Sequence, residues 1–290
     1  MELQVCAIYV GIEDIPEAAL RRAVEAVAAF GRAVRESPRV AAVRTRADLD
    51  SLGGRIGLVL SLEGCEPLGS DPSSIDVFWE LGVRMVGLTW NRRNAFADGC
   101  SEPPGGGLSG LGRELVDRLA ELGMAIDLAH ASERTFEDVL ERSGDAPVLV
   151  SHAGCRAIHD IPRNLSDDQL RAVASRDGVL GVMLIPFSVG DPATLDRVVD
   201  HVDHAAHVMG DGGVALGGDF THQLNRALAG GRPDPLLPPG LLGETVEDLS
   251  GPQEYGALVD ALRGRGWDGE RLDGLLRGNL LRVLRRALPT

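Results

Sequence analysis

A chain of 290 residues can bury one large core, and a formal charge of −14, from 43 acidic and 29 basic residues, excludes a nucleic-acid surface. Its four cysteines are scattered without a close pair, which excludes both a disulfide framework and a zinc ribbon. No 18-residue apolar run and no signal-like start occur, so the expectation is a cytoplasmic chain with no membrane segment.

Leu3 to Val10 reads as a buried strand, and Pro16 to Arg35 as an amphipathic helix with Phe30 and several alanines on one face. Arg55 to Leu62 is an apolar strand followed at once by Glu63. A carboxylate there is a helix cap or a ligand, and the room left by Gly64 and Cys65 favours the ligand. Ile75 to Leu81 is a short helix. Arg84 to Thr89 is the next strand, running into Trp90 and Asn91. The Gly- and Pro-rich stretch Asp98 to Gly107 reads as a flexible loop before a helix from about Leu108 to Leu122. Its glycines are not followed by the Lys-Ser/Thr of a phosphate cradle.

The stretch from Met124 to Asn164 organises the rest. Two apolar runs, Ala125 to Leu128 and Pro147 to Val150, lead into His130 and His152, with a helical segment opened by Ser132 between them. Strand, helix, strand of this length is a βαβ unit, whose parallel strands end on one face. Two imidazoles therefore lie side by side at that face. One such histidine alone would read as a strand cap; two at equivalent positions, with Arg163 eleven residues after the second, read as a site.

Further along, Ser166 to Ser175 is a helix, Val179 to Ile185 a strand, Leu195 to Met209 a helix, and Val214 to Gly217 a strand running into Asp219. The helical segment HVDHAAH imitates a metal motif, but His201 and Asp203 lie about 200° apart on a helix. It therefore reads as a solvated face. Leu224 to Pro252 is an irregular loop of the kind that lids or lines a site, and three helices, Gln253 to Arg263, Gly269 to Leu276 and Leu280 to Ala287, close the chain. No repeat or linker stands out, so residues 1–290 read as a single domain.

Seven strands alternating with helices imply a parallel sheet covered on both faces. Glu63, Trp90, His130, His152 and Asp219 all follow strands, which points to a (β/α)8, TIM-barrel-like fold of the metal-dependent hydrolase type. Such a barrel closes with eight strands. The expectation is that the first is missing from the chain as given and that Met1 is not the biological start. Glu63, His130, His152 and Asp219 are ligands of the type used by hydrolytic zinc sites, and no serine or cysteine sits in an elbow motif. The economical chemistry is metal-activated water attacking a carbonyl, with Asp219 moving protons and Arg163, taken as a strand-end arginine, gripping a substrate anion.

The segments SLEG at Ser61, ELGVRMVGLTWNRRN at Glu80, LGMAIDLAH at Leu122, PVLVSHAGCRAI at Pro147, RNLSDD at Arg163, ALGGDF at Ala215 and GNLLRVL at Gly278 carry a more specific likeness. In order and spacing they resemble the membrane (renal) dipeptidase family, metallodipeptidases of the amidohydrolase type built on an α/β barrel. The resemblance implies a two-zinc site: Glu63 as the bridging carboxylate, His130 and His152 as the histidines of one metal, Asp219 as the proton carrier, and Arg163 as the partner of the dipeptide's C-terminal carboxylate. Three departures stand out. The His-x-Asp pair of the other zinc has no counterpart, so one zinc or none is expected in the chain as given. Trp90, on the substrate side, stands where animal members carry a histidine. Asp219-Phe220-Thr221-His222 replaces Asp-Phe-Asp-Gly.

The sequence thus reads as a zinc-dependent dipeptidase acting on a dipeptide or similar small amide, with a homodimer as the assembly to test for. The alternatives are another amidohydrolase, splitting a lactone, ester or cyclic amide, and a barrel kept as a non-catalytic binding or scaffold subunit.

Overall fold

Parallel strands alternating with helices make up the residues that the computed structural model describes, 2–220 and 245–290. The chain divides into two units, Met1–Val148 with Arg282–Thr290, and Leu149–Leu281. The boundary falls inside a strand, and no change in composition marks it.

The first unit is built on β3, Ile56–Glu63, whose run of Ile, Leu and Val is buried along most of its length. β1, Leu3–Tyr9, pairs with β3 from Leu3 opposite Gly57 to Tyr9 opposite Glu63. The short β2, Val40–Ala42, flanks the first residues of β3, and β4, Val83–Gly87, its last. β5, Ala125–Asp127, pairs with β4. Every pairing is parallel, and the register sets Tyr9, Glu63, Gly87 and Asp127 in one row. The strands therefore end level, so whatever follows each of them emerges at the same side of the sheet.

Five helices connect or follow these strands: α1, Ala19–Glu36; α2, Arg46–Asp50; α3, Ile75–Glu80; α4, Gly110–Leu122; and α5, Glu133–Arg142. Local chemistry sets their ends. The Ser109 hydroxyl accepts from Gly112 N to start α4, and Gly123, at φ 69°, takes the left-handed turn that stops it. Ser132 opens α5 by accepting from Thr135 N, as its position in the sequence predicts.

The second unit carries β6, Val148–Ala153; β7, Leu180–Met183; and β8, Val214–Gly217, with β7 between the other two and parallel to both. Their backbones approach so closely that a β-carbon on Gly181 or Gly217 would overlap the Ser151 carbonyl oxygen. The helices are α6, Asp167–Ser175; α7, Pro186–Val189; α8, Leu195–Met209; α9, Tyr255–Gly264; and α10, Gly269–Asp273. The last helix, α11, Asn279–Ala287, starts in this unit. Trp267, fully buried, donates its indole N–H to Asp203 at 2.7 Å and ties the chain after α9 to α8. No helix among the described residues is long and apolar enough to cross a membrane.

All seven strands expected from the apolar runs are present, and β2 is an addition. Its three half-buried residues are too few for a pattern to register. Two expectations are corrected. The stretch Asp98 to Gly107 is irregular, as expected, but bonded at both ends. The buried Asp98 carboxylate takes both Arg93 Nε and Nη2, while its carbonyl accepts from Ser132 N and Thr135 Oγ1. Asp138 fixes the far end by accepting from Leu108 N at 2.9 Å. HVDHAAH is not a solvated face, because His201 is among the most buried polar residues of the chain. Asp203, His204, bonded to Asp167, and His207 lie nearer the surface. The loop expected over Leu224 to Pro252 lies largely outside the described residues, as do Thr221 and His222.

Candidate functional site

In the first unit, β3 delivers Glu63 as its last residue, and the chain leaving β5 turns sharply at His130, whose φ is 64°. That conformation is uncommon for a residue with a β-carbon. It brings His130 Nε2 to 3.0 Å from Glu63 Oε1. On the other side of the ring, Nδ1 lies 2.6 Å from Asn91 Oδ1. Cys100 Sγ also donates to that oxygen, at 3.2 Å. An amide oxygen only accepts, so a ring proton belongs on Nδ1, which leaves Nε2 facing Glu63 as the site for a second proton or a metal.

Two electron-rich atoms at this separation are held by a proton between them or by a cation that both coordinate. Zinc–nitrogen and zinc–oxygen bonds of 2.0–2.2 Å place two ligands of a tetrahedral ion about 3.3 Å apart. The pair therefore fits a divalent metal in donor type, spacing and tautomer.

An aromatic wall borders this pair. The Trp90 ring centre lies 5.8 Å from that of His130 and 5.4 Å from that of Tyr9, with the Arg92 guanidinium 5.7 Å from the indole. Tyr9 is 38% exposed, high for a large side chain at the end of a strand. Neither Tyr9 nor Glu66 follows from the strand-end pattern, and a polar-tipped aromatic near the end of an apolar run was the available signal for Tyr9. Burial raises the Glu66 carboxyl above the ordinary range, and the neighbouring Glu63 adds to this, against the opposing pull of the Asn94 amide and Arg92.

In the second unit, His152 is the penultimate residue of β6, buried, with Nδ1 2.7 Å from Ser151 Oγ and Nε2 3.9 Å from Asp219 Oδ2. Asp219 follows β8 at a φ of 48°, a second left-handed residue after a strand. Arg163 does not end a strand. It sits in the loop between β6 and α6, only 5% exposed, and its Nη2 has no hydrogen-bond partner among the described residues. A buried guanidinium N–H without a partner is costly, and an arriving carboxylate would satisfy it. The adjacent Asn164 is fully engaged: Oδ1 accepts from Gly154 N and Ser188 Oγ, and Nδ2 donates to the carbonyls of His159 and Ser188.

A family model for membrane dipeptidase, peptidase family M19, matches residues 1–230. The chain belongs to that family. It is 31% identical to dipeptidase 3 of Mus musculus in an alignment taking in 98% of this chain and 55% of that protein. With dipeptidase aclJ of Aspergillus oryzae the identity is 34%, over 80% of this chain and 51% of that protein. The chain thus spans about half the length of the curated relatives it matches.

Among solved structures, dipeptidase AC, a metallo peptidase, superposes with a TM-score of 0.85 at 25% identity, over 100% of this chain and 86% of that one. A metallo peptidase from Rhodobacter sphaeroides, liganded with a phosphinate mimic of the dipeptide L-Ala-D-Ala, gives 0.85 at 24%, over 98% and 86%. The fold class is α/β and TIM-barrel-like, as the strand-and-helix alternation implies. Within the first unit Glu63, His130 and Trp90 come together; within the second, His152 and Asp219 do, with Arg163 buried in the loop that follows β6.

Proposed function

We propose that the chain hydrolyses dipeptides with zinc as its cofactor, held by Glu63 and His130. The observation that carries this reading is the Glu63–His130 pair, with Nδ1 beside the Asn91 amide oxygen and Nε2 beside the carboxylate. When bound, the metal supplies Lewis-acid activation of water and of the peptide carbonyl. Asp219 accepts a proton on its carboxylate and returns it to the leaving amine. Arg163 takes the C-terminal carboxylate of the substrate, which would satisfy its unpartnered Nη2. Trp90, backed by Tyr9, borders the bound dipeptide on the His130 side. The dipeptidases of Mus musculus and Aspergillus oryzae, at 31% and 34% identity, support the substrate class.

The test is elemental analysis of the purified chain combined with a panel of free dipeptides, dipeptide amides, lactones and cyclic amides. Expected are bound zinc, metal-dependent cleavage of free dipeptides, and loss of both in Glu63→Gln and His130→Ala. A zinc-loaded chain that opens lactones or cyclic amides but leaves every dipeptide intact would replace this reading with the wider amidohydrolase one. A folded chain with no bound metal and no activity would favour a scaffold.

A further inference from the structure

α8 carries a buried histidine that the metal site does not use. His201 is 1% exposed, and both ring nitrogens are engaged with backbone. Nδ1 accepts from Cys155 N at 2.9 Å, and Nε2 donates to the Val189 carbonyl at 3.1 Å. One helical turn earlier, Arg197 donates Nε to the same Val189 carbonyl at 2.9 Å and Nη2 to the Ile158 carbonyl at 3.0 Å. α8 therefore grips the segment after β6 at two points, Cys155 and Ile158.

That segment is a closed loop. Leu165 N donates to Gly154 O at 3.0 Å and Arg156 N to Leu165 O at 2.8 Å, so its two ends meet beside Cys155. Asn164, just before the closure, fills the loop's interior with its four bonds to Gly154, His159 and Ser188. Arg163 is the residue before it. Its buried guanidinium is therefore placed by a loop whose base is held by the His201 ring together with Asn164 and the backbone closure. A single rigid ring that accepts on one side and donates on the other suits this joint. Removing it would leave the Cys155 N–H buried without an acceptor.

We propose that His201 is a positioning residue for Arg163: it locks the base of the arginine loop and so holds the guanidinium ready for the carboxylate of the substrate. The proposal rests on the reading of Arg163 as the anion-binding group. His201 itself touches neither substrate nor metal. Its loss should weaken the grip on the free carboxylate and leave bond cleavage nearly unchanged.

Two measurements on the full chain test this: hydrogen exchange of the peptide spanning 154–166, and steady-state kinetics with free dipeptides and their amides. His201→Phe should speed exchange in that peptide. It should raise KM for free dipeptides about tenfold, with kcat and the KM of amides within about twofold. His201→Asn, whose Oδ1 can still take the Cys155 N–H, should recover most of both effects. Arg197→Met should shift both in the same direction as His201→Phe, and it keeps the proposal testable if the phenylalanine variant does not fold. Unchanged exchange in 154–166 would overturn the proposal, and so would a KM rise shared equally by the amides. If Arg163→Met separates free dipeptides from amides and His201→Phe does not, only the role of His201 falls. If Arg163→Met fails to separate them, the anion-binding reading falls and the proposal with it.

Discussion

Replacing Arg163 with methionine should make the unliganded protein more stable while spoiling its hold on a free dipeptide. The side chain is buried, and its Nη2 has no hydrogen-bond partner among the described residues. An unsatisfied buried donor costs about 1–3 kcal/mol, with charged groups at the upper end. Methionine keeps most of the apolar stem and brings no polar atom, so a gain of about 1–2 kcal/mol is expected. At roughly 2–4 °C per kcal/mol for a chain of this size, the melting temperature should rise by about 2–8 °C. Binding moves the other way. Losing a bidentate arginine–carboxylate contact costs about 2–4 kcal/mol, or about 30- to 800-fold in KM. Thermal unfolding without substrate, followed by KM for free dipeptides and for their amides, measures both arms. A fall in melting temperature together with equal KM losses for acids and amides would refute the reasoning, since Arg163 would then be a structural residue.

Other consequences are as direct. Asn91→Leu removes the oxygen that fixes the His130 ring and should weaken zinc affinity about 10- to 100-fold in a chelator competition titration; unchanged affinity would show that the Nδ1 contact is incidental. Gly181→Ala should cost about 1–3 kcal/mol in denaturant unfolding, because its new methyl group overlaps the Ser151 carbonyl beside His152; a neutral result would mean that the β6–β7 contact yields readily. Burial pushes the His201 pKa from 6.5 down to about 4, so the unfolded chain takes up this proton first as the pH falls. The stability that comes from keeping the ring neutral is complete above pH 6.5 and is lost between pH 6.5 and 4, about 3 kcal/mol in all. His201→Asn should flatten that part of the stability curve against pH, and an unaltered acid limb would count against it.

The strands were legible as short apolar runs, and Glu63 and His130 lie at the end of theirs or within three residues of it. The meeting of those two groups was legible for the same reason: level parallel strands carry their ends together. What the sequence hid depends on partners far along the chain. His201 looks solvated beside Asp203 and His204, and only the approach of Cys155 and Val189 makes it a buried joint. The glycines before α4 look mobile until Asp98 and Asp138 are seen to hold both ends of the stretch. Arg163 was identified by residue type and order, but its place in a loop rather than at a strand end, and its unpartnered nitrogen, are tertiary facts. Tyr9 was hidden inside an apolar run, and Glu66 behind Glu63, which already ends the same strand.

His130 and Asp219 both adopt left-handed backbone angles where glycine would sit without strain. On the proposed function, the side chains wanted at these two positions are therefore not the ones that folding prefers. Selection for thermal stability alone, with activity left unmonitored, should drift toward glycine at both. A library enriched only for heat resistance should discard these two side chains along with Asp177 and Asp248, the other left-handed non-glycine residues among those described, and an activity screen would tell the two pairs apart.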